Sequence, residues 1–127
     1  MPADWVVTST AADHVARGAH PALDLAPPGR SGLREPIYAA AAGQATIQTA
    51  HGYSEWGNYV LLEHDSIWQT GYAHCDALLV RAGDTVEAGQ VIGLAGDSGK
   101  TNGNVHLHLE LFSNGTRVDP WPRLLRP

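Results

Sequence analysis

His106-Leu107-His108-Leu109-Glu110-Leu111-Phe112 is the stretch that decides how this chain folds. From His106 to Leu111 polar and apolar residues alternate, which is the two-residue period of a β-strand with one face against a core. His106, His108 and Glu110 therefore share one face, and Leu107, Leu109 and Leu111 share the other. The leucine face predicts core. The opposite face presents two imidazoles and a carboxylate. For a His-x-His in isolation a solvated polar face is the ordinary expectation, because histidine is a residue of intermediate burial.

Outward from this strand the same grammar repeats. Ala45 to Ala50 alternates, Asn58 to Glu63 follows a glycine, Ile67 to His74 carries Trp68 and Tyr72 in alternation, and Gln90 to Ala95 lies between glycines. With 14 glycines and 8 prolines set between these runs, the chain reads as at least five strands joined by turns. Pro27 to Gly32 is a turn cluster, and Gly93 to Asn104 is a polar, glycine-rich loop. No stretch keeps a 3.6-residue period, although Asp76 to Leu79 fits a single helical turn. Val80 to Gly93, with Gly83 and Gly89 six apart, reads as a hairpin-like β corner. Such a corner resembles the half-barrel of biotinyl and lipoyl carrier domains. Those carry a lysine at a hairpin tip, and the only lysine here, Lys100, falls in another loop.

Composition narrows the chemistry. At 127 residues and 43% hydrophobic the chain is sized for one domain, spanning 1–127, without repeats. A net charge of -5 with no basic run argues against a nucleic-acid or anionic-membrane partner. No window reaches the roughly 18 apolar residues of a membrane span, and Met1 to Trp5 carries no export-signal pattern. Cys75 is the single cysteine, so a disulfide framework and a cysteine-rich zinc site are excluded, and any metal must be held by histidine and carboxylate. Seven histidines against eight Lys plus Arg is the feature to be explained.

His20-Pro21-Ala22-Leu23-Asp24 sets an imidazole and a carboxylate four apart. A catalytic zinc takes three such ligands and keeps its fourth position open. His20, Asp24 and one of His106 or His108 would complete the set; alone, His20 and Asp24 fit a surface ion pair equally well. His74 closes its strand, where a surface position is the ordinary expectation, and His51 and His64 read as surface residues. Cys75 reads as a small buried thiol, because neighbours along a strand point to opposite faces and His74 points away. Tyr53, Trp56 and Tyr59 suit either a groove lining or packing.

Taken in order, these segments resemble the lysostaphin-like zinc endopeptidases of bacterial cell walls, the M23 or LytM peptidases. The resemblance runs through His20/Asp24, Ile37-Tyr38-Ala39-Ala40 with Gly43, Gly57-Asn58 through Val60 to His64, Tyr72-Ala73-His74, Val80 to Gly93, His106-Leu107-His108-Leu109-Glu110 and Val118-Asp119-Pro120. It implies an all-β domain, an antiparallel sheet or sandwich with an open groove. It implies one zinc per chain on His20, Asp24 and His108, with His106 as general base and His74 orienting the water or stabilising the oxyanion. The implied substrate is the peptide part of peptidoglycan, cut at amide bonds by a monomer acting on the wall, as a phage-type lysin or an excised exported domain.

The chain departs from the pattern at three places. Ala22 stands where the family has glycine, Gly103-Asn104-Val105 replaces a Gly-Pro entry, and Thr8 to His14 replaces the family's Ser-x-Phe-Gly-x-Arg, with His14 able to fill part of that segment's aromatic role. Two competing readings are a non-catalytic wall-binding or amidase-activating relative, marked by missing ligands, and a phosphocarrier with two facing histidines. All five histidine and aspartate positions are intact, and a phosphocarrier leaves Asp24 unexplained.

Overall fold

One long strand organises the molecule. A computed structural model describes residues 6–18, 21–26, 34–48, 57–99 and 105–120. The elements are β1 (Val6–Ser9), α1 (Ala11–Ala16), β2 (Leu23–Ala26), β3 (Pro36–Tyr38), β4 (Gly43–Gln48), β5 (Asn58–Glu63), β6 (Trp68–Leu78), β7 (Thr85–Val86), β8 (Val91–Ala95), β9 (Leu107–Ser113) and β10 (Thr116–Val118). The sheet runs β1-β2-β9-β6-β5-β4-β7, and every pairing is antiparallel. On one side β6 pairs with β5. On the other it changes partner, its first half lying against β9 and its last residues against β8. The all-β antiparallel architecture expected from the alternation is thus the one found.

The core lies on the leucine side of the pleat. Leu23 and Leu25 of β2 face Leu109 and Leu107 of β9 in register, and all four are buried with Val60, Leu62, Tyr72 and Ile92. Each such leucine contributes roughly 1.5–3 kcal/mol relative to an exposed position. The leucines fix the register, because a one-residue slip would turn them outward and bury the wrong face.

Three local expectations are corrected. Asp76 to Leu78 continues β6 instead of forming a helical turn, because β8 offers that segment backbone partners. The Val80 to Gly93 corner turns at Gly83 and Gly89, with φ of 94° and 80°, yet its two strands do not pair with each other: β7 joins β4, while β8 joins β3 and β6. The helix α1 has no sequence period because it is only six residues long. Its signal is local, a capping box in which the Thr10 hydroxyl accepts from the Asp13 backbone N–H and the Asp13 carboxylate accepts from that of Thr10. Pro27 to Gly32, His51, Tyr53 and Trp56 lie outside the described residues. No helix among the described residues is long and apolar enough to cross a membrane.

Candidate metal centre

Asp24 and His108 are direct cross-strand partners, and Ala73 of β6 completes the row on the far side of His108. Opposed residues in an antiparallel pair share a face. The alternation that buries Leu23, Leu25, Leu107 and Leu109 therefore lifts Asp24 and His108 together onto the other face. His108 Nδ1 lies 3.0 Å from Asp24 Oδ1, and its Nε2 lies 3.6 Å from Glu110 Oε2. Burial opposes the charged imidazole, but the hydrogen bond to Asp24 and the negative charge of Glu110 close to Nε2 outweigh it and hold the His108 pKa above its ordinary value. Burial likewise opposes the Asp24 and Glu110 carboxylates. His108 outweighs it for Asp24, and His108 with Arg117 outweighs it for Glu110, so both carboxyls sit below the usual range.

Glu110 is fully buried and tied down on three sides. Arg117 Nε of β10 donates to Oε2 at 2.7 Å, and the Tyr59 hydroxyl donates to Oε1 at 3.1 Å. Gly71 lies opposite Glu110, and a Cβ there would collide with the Tyr59 hydroxyl, which explains glycine at this position. Tyr59 is therefore a packing residue that steadies Glu110, and Glu110 in turn orients His108.

His74 sits where β6 changes partners, between Ala73 opposite His108 and Cys75 opposite Ala95, in a stretch whose register against β5 also shifts. Its φ is +66°, a backbone conformation uncommon outside glycine and suited to a bulge that re-aims a side chain. The Nδ1 bonds the Ser98 carbonyl at 2.8 Å; a carbonyl only accepts, so Nδ1 carries the proton and Nε2 is the acceptor. Burial, with His106 and His108 alongside, pushes the His74 pKa down to about 4. Ser98 is itself anchored, donating to the Cys75 carbonyl at 2.5 Å and accepting from the Asn58 N–H at 3.1 Å. His106, just ahead of β9, brings Nε2 to 3.8 Å from Asp24 Oδ1 and its ring to 4.8 Å from that of His74.

The structure thus brings Asp24, His74, His106 and His108 together, while His20 lies outside the described residues. It adds His14, which is buried on α1. His14, Asp24 and His108 each offer one ligand atom, all within 4.8 Å of one another. Imidazole nitrogen and carboxylate oxygen at this spacing are a donor set that suits zinc. Sequence reasoning gave His14 only a minor part and did not single out Ser98 or Arg117. The capping box before His14 was a readable signal; Ser98 and Arg117 act through tertiary contacts that no local pattern announces.

The fold and this cluster define a class, antiparallel β domains with a histidine and carboxylate centre fit for a divalent cation. More narrowly, the chain belongs to peptidase family M23, whose family model matches residues 18–120. Over 100 residues it is 37% identical to the peptidoglycan DD-endopeptidase ShyB of Vibrio cholerae, covering 79% of this chain and 22% of that protein. The chain therefore spans about a fifth of that relative's length. A zinc-containing peptidase from Vibrio cholerae superposes with a TM-score of 0.77 at 31% identity, covering 94% of this chain and 37% of the other. A mutant catalytic domain of the prophage-encoded M23 protein EnpA from Enterococcus faecalis superposes with a TM-score of 0.76 at 27% identity, covering 94% and 92%.

Proposed function

We propose that this chain is a zinc-dependent endopeptidase that hydrolyses amide bonds in the peptide part of peptidoglycan, as one domain over 1–127, monomeric, acting on the bacterial wall as a phage-type lysin. The observation that carries the reading is the cross-strand pair Asp24 and His108 with His74 and His106 gathered beside it. The peptidoglycan DD-endopeptidase among its relatives supports the substrate, and the prophage-encoded neighbour supports the lysin.

Asp24 and His108, joined by His20, hold the metal. Zinc, when bound, supplies a Lewis acid that polarises the scissile carbonyl and makes water a better nucleophile near neutral pH. His106, beside Asp24, takes the proton from the attacking water and returns it to the leaving amine. His74 is held neutral by burial, with its Nδ1 proton committed to Ser98, so its Nε2 accepts a hydrogen bond and orients the water. This favours the water-orienting role over oxyanion donation. Glycosidic cleavage canonically needs a pair of carboxylates flanking an acetal carbon. Glu110 is engaged by Arg117 and Tyr59, and Asp24 by His108, so that chemistry is not served.

Purified protein should carry close to one zinc, lose activity to a chelator and regain it with zinc. Digestion of peptidoglycan should release amino groups without reducing sugar ends, and His74→Ala or His106→Ala should keep zinc while lowering turnover by about 100-fold or more. Full activity in metal-free protein or the appearance of reducing ends would overturn the reading. Release of whole stem peptides would make the protein an amidase instead.

A further inference from the structure

We propose that Ser98 and Asn58 are positioning residues that hold His74 aimed at the reacting water, Ser98 gripping the histidine by its ring and by its main chain, and Asn58 holding Ser98 in place. The inference rests on the endopeptidase reading above and gives a task to Gly57-Asn58, a motif that the metal centre leaves unused.

His74 needs holding. Its φ of +66° puts a side chain with a Cβ in the left-handed region, where a residue other than glycine persists only if its surroundings over-determine it. The strand ladder supplies little of that support, because the register of β6 shifts here against both neighbours, against β5 between Asn58 and Val60 and against β8 between Cys75 and Ala77. A closed ring of hydrogen bonds supplies it instead. The His74 Nδ1–H donates to the Ser98 carbonyl at 2.8 Å, and the Ser98 hydroxyl donates to the carbonyl of Cys75, the next residue along, at 2.5 Å. One residue therefore fixes both the orientation of the imidazole and the backbone from which it projects. Asn58 closes the arrangement from β5. Its backbone N–H donates to the Ser98 hydroxyl at 3.1 Å, and its Nδ2 donates to the Cys75 carbonyl at 3.0 Å, with the Asp76 carbonyl 3.4 Å away. A backbone N–H only donates, so the Ser98 oxygen accepts there and its own proton is directed to Cys75. Gly57 makes the close approach possible, since its φ is +66° and a Cβ on it would collide with Ser98. With Nδ1 tethered, the His74 ring stays beside that of His106, 4.8 Å between centroids, and cannot flip without losing its bond. Segments 57–58, 74–76 and 98, distant in sequence, thus meet at a histidine whose aim the proposed mechanism needs.

The competing role is purely structural, a tie between the loop after β8 and the sheet. A structural tie affects stability, whereas a positioning residue affects turnover, and only while His74 is present. Ser98→Ala, Ser98→Thr and Asn58→Asp are compared in the wild-type and His74→Ala backgrounds. The readouts are kcat and KM on soluble cross-linked wall peptides, zinc content by elemental analysis, and NMR of the His74 ring nitrogens. Ser98→Ala should keep zinc and KM and lower kcat at least about tenfold, since an ångström of misplacement costs on the order of 100-fold. Asn58→Asp, which turns the donor facing Cys75 into an acceptor, should repeat that pattern, and Ser98→Thr, which keeps the hydroxyl, should recover most of the loss. In His74→Ala, adding Ser98→Ala should cost less than about twofold, because the two residues act as a unit. The His74 Nδ1 proton should be protected from exchange in the wild-type protein and lose that protection in Ser98→Ala. Wild-type kcat in Ser98→Ala or Asn58→Asp, an equal loss in both backgrounds, or a His74 ring signal that Ser98→Ala does not move would overturn the proposal and leave the endopeptidase reading intact. A wild-type protein that cuts no wall peptide overturns that reading, and the ring measurement then still decides whether Ser98 holds His74. If the variants fail to fold, the NMR coupling between His74 Nδ1 and the Ser98 carbonyl carbon across their hydrogen bond in the wild-type protein decides; its presence supports the grip and its absence overturns the proposal.

Discussion

His64, just after β5, and His108, within β9, both have protein close to each ring nitrogen, and they are put to different use. His64 donates Nδ1–H to the Ala42 carbonyl at 2.7 Å and accepts at Nε2 from the Thr70 hydroxyl at 2.8 Å. Thr70 is bonded in turn to the Tyr72 hydroxyl, which accepts from the Ala40 N–H. Every partner there is neutral and the chain of bonds closes on backbone, so the ring acts as a structural tie. His108 instead lies between two carboxylates, with the His14 and His74 rings 5.3 and 5.9 Å away. Histidine is informative here through the charge and identity of what each nitrogen faces, not through burial.

The comparison breaks most sharply on substitution of the two histidines. His108→Ala should lose zinc and peptidoglycan hydrolysis together, a loss of more than about 100-fold in activity. His64→Ala should keep one zinc per chain and cost about 1–3 kcal/mol of unfolding free energy, because Thr70 is left without its acceptor. Metal analysis with denaturant melts separates the two, and zinc loss in His64→Ala would undo the distinction.

A finer contrast lies in Glu110. Glu110→Gln keeps the shape but removes the charge that faces both His108 Nε2 and Arg117. Zinc affinity should fall by about 10–100-fold, the range for a partner that orients a metal ligand. Unchanged affinity would reduce Glu110 to a packing residue. The smallest effect is expected at Cys75. Burial pushes its thiol up to about 12, so the nucleophilic thiolate is scarce at pH 8. Alkylation of native protein at that pH should be at least about tenfold slower than in urea, and Cys75→Ser should leave hydrolysis near the wild-type level. Rapid native labelling would place the thiol in the open.

Much of this was legible in the chain. Alternation in His106 to Leu111 placed the leucines inward and the histidines together, because the period of a strand is a local property. Asn58 to Glu63 is a strand with the bounds its sequence suggested. What local pattern could not carry was partnership. Nothing within Trp68 to Leu78 states that it pairs first with β9 and then with β8, although that exchange is what turns His74 into the site. His64 was read as a surface residue because its partners, Ala42 and Thr70, lie on neighbouring segments that only the folded sheet brings to it. His14 lay in a helix too short to show a period.

The pairing of Asp24 with His108 also has a consequence in time. The two residues are 84 positions apart, and Ala73 and His74 come from the stretch between them. At roughly 5–20 residues per second of synthesis, about 4–17 s separate the appearance of Asp24 from that of His108. In the last part of that interval, once residue 74 has been made, the growing chain carries Asp24 and His74 but not the strand that lies between β2 and β6. The metal site proposed above is complete only once β9 lies between β2 and β6, so a chain that has not yet reached that strand cannot form it.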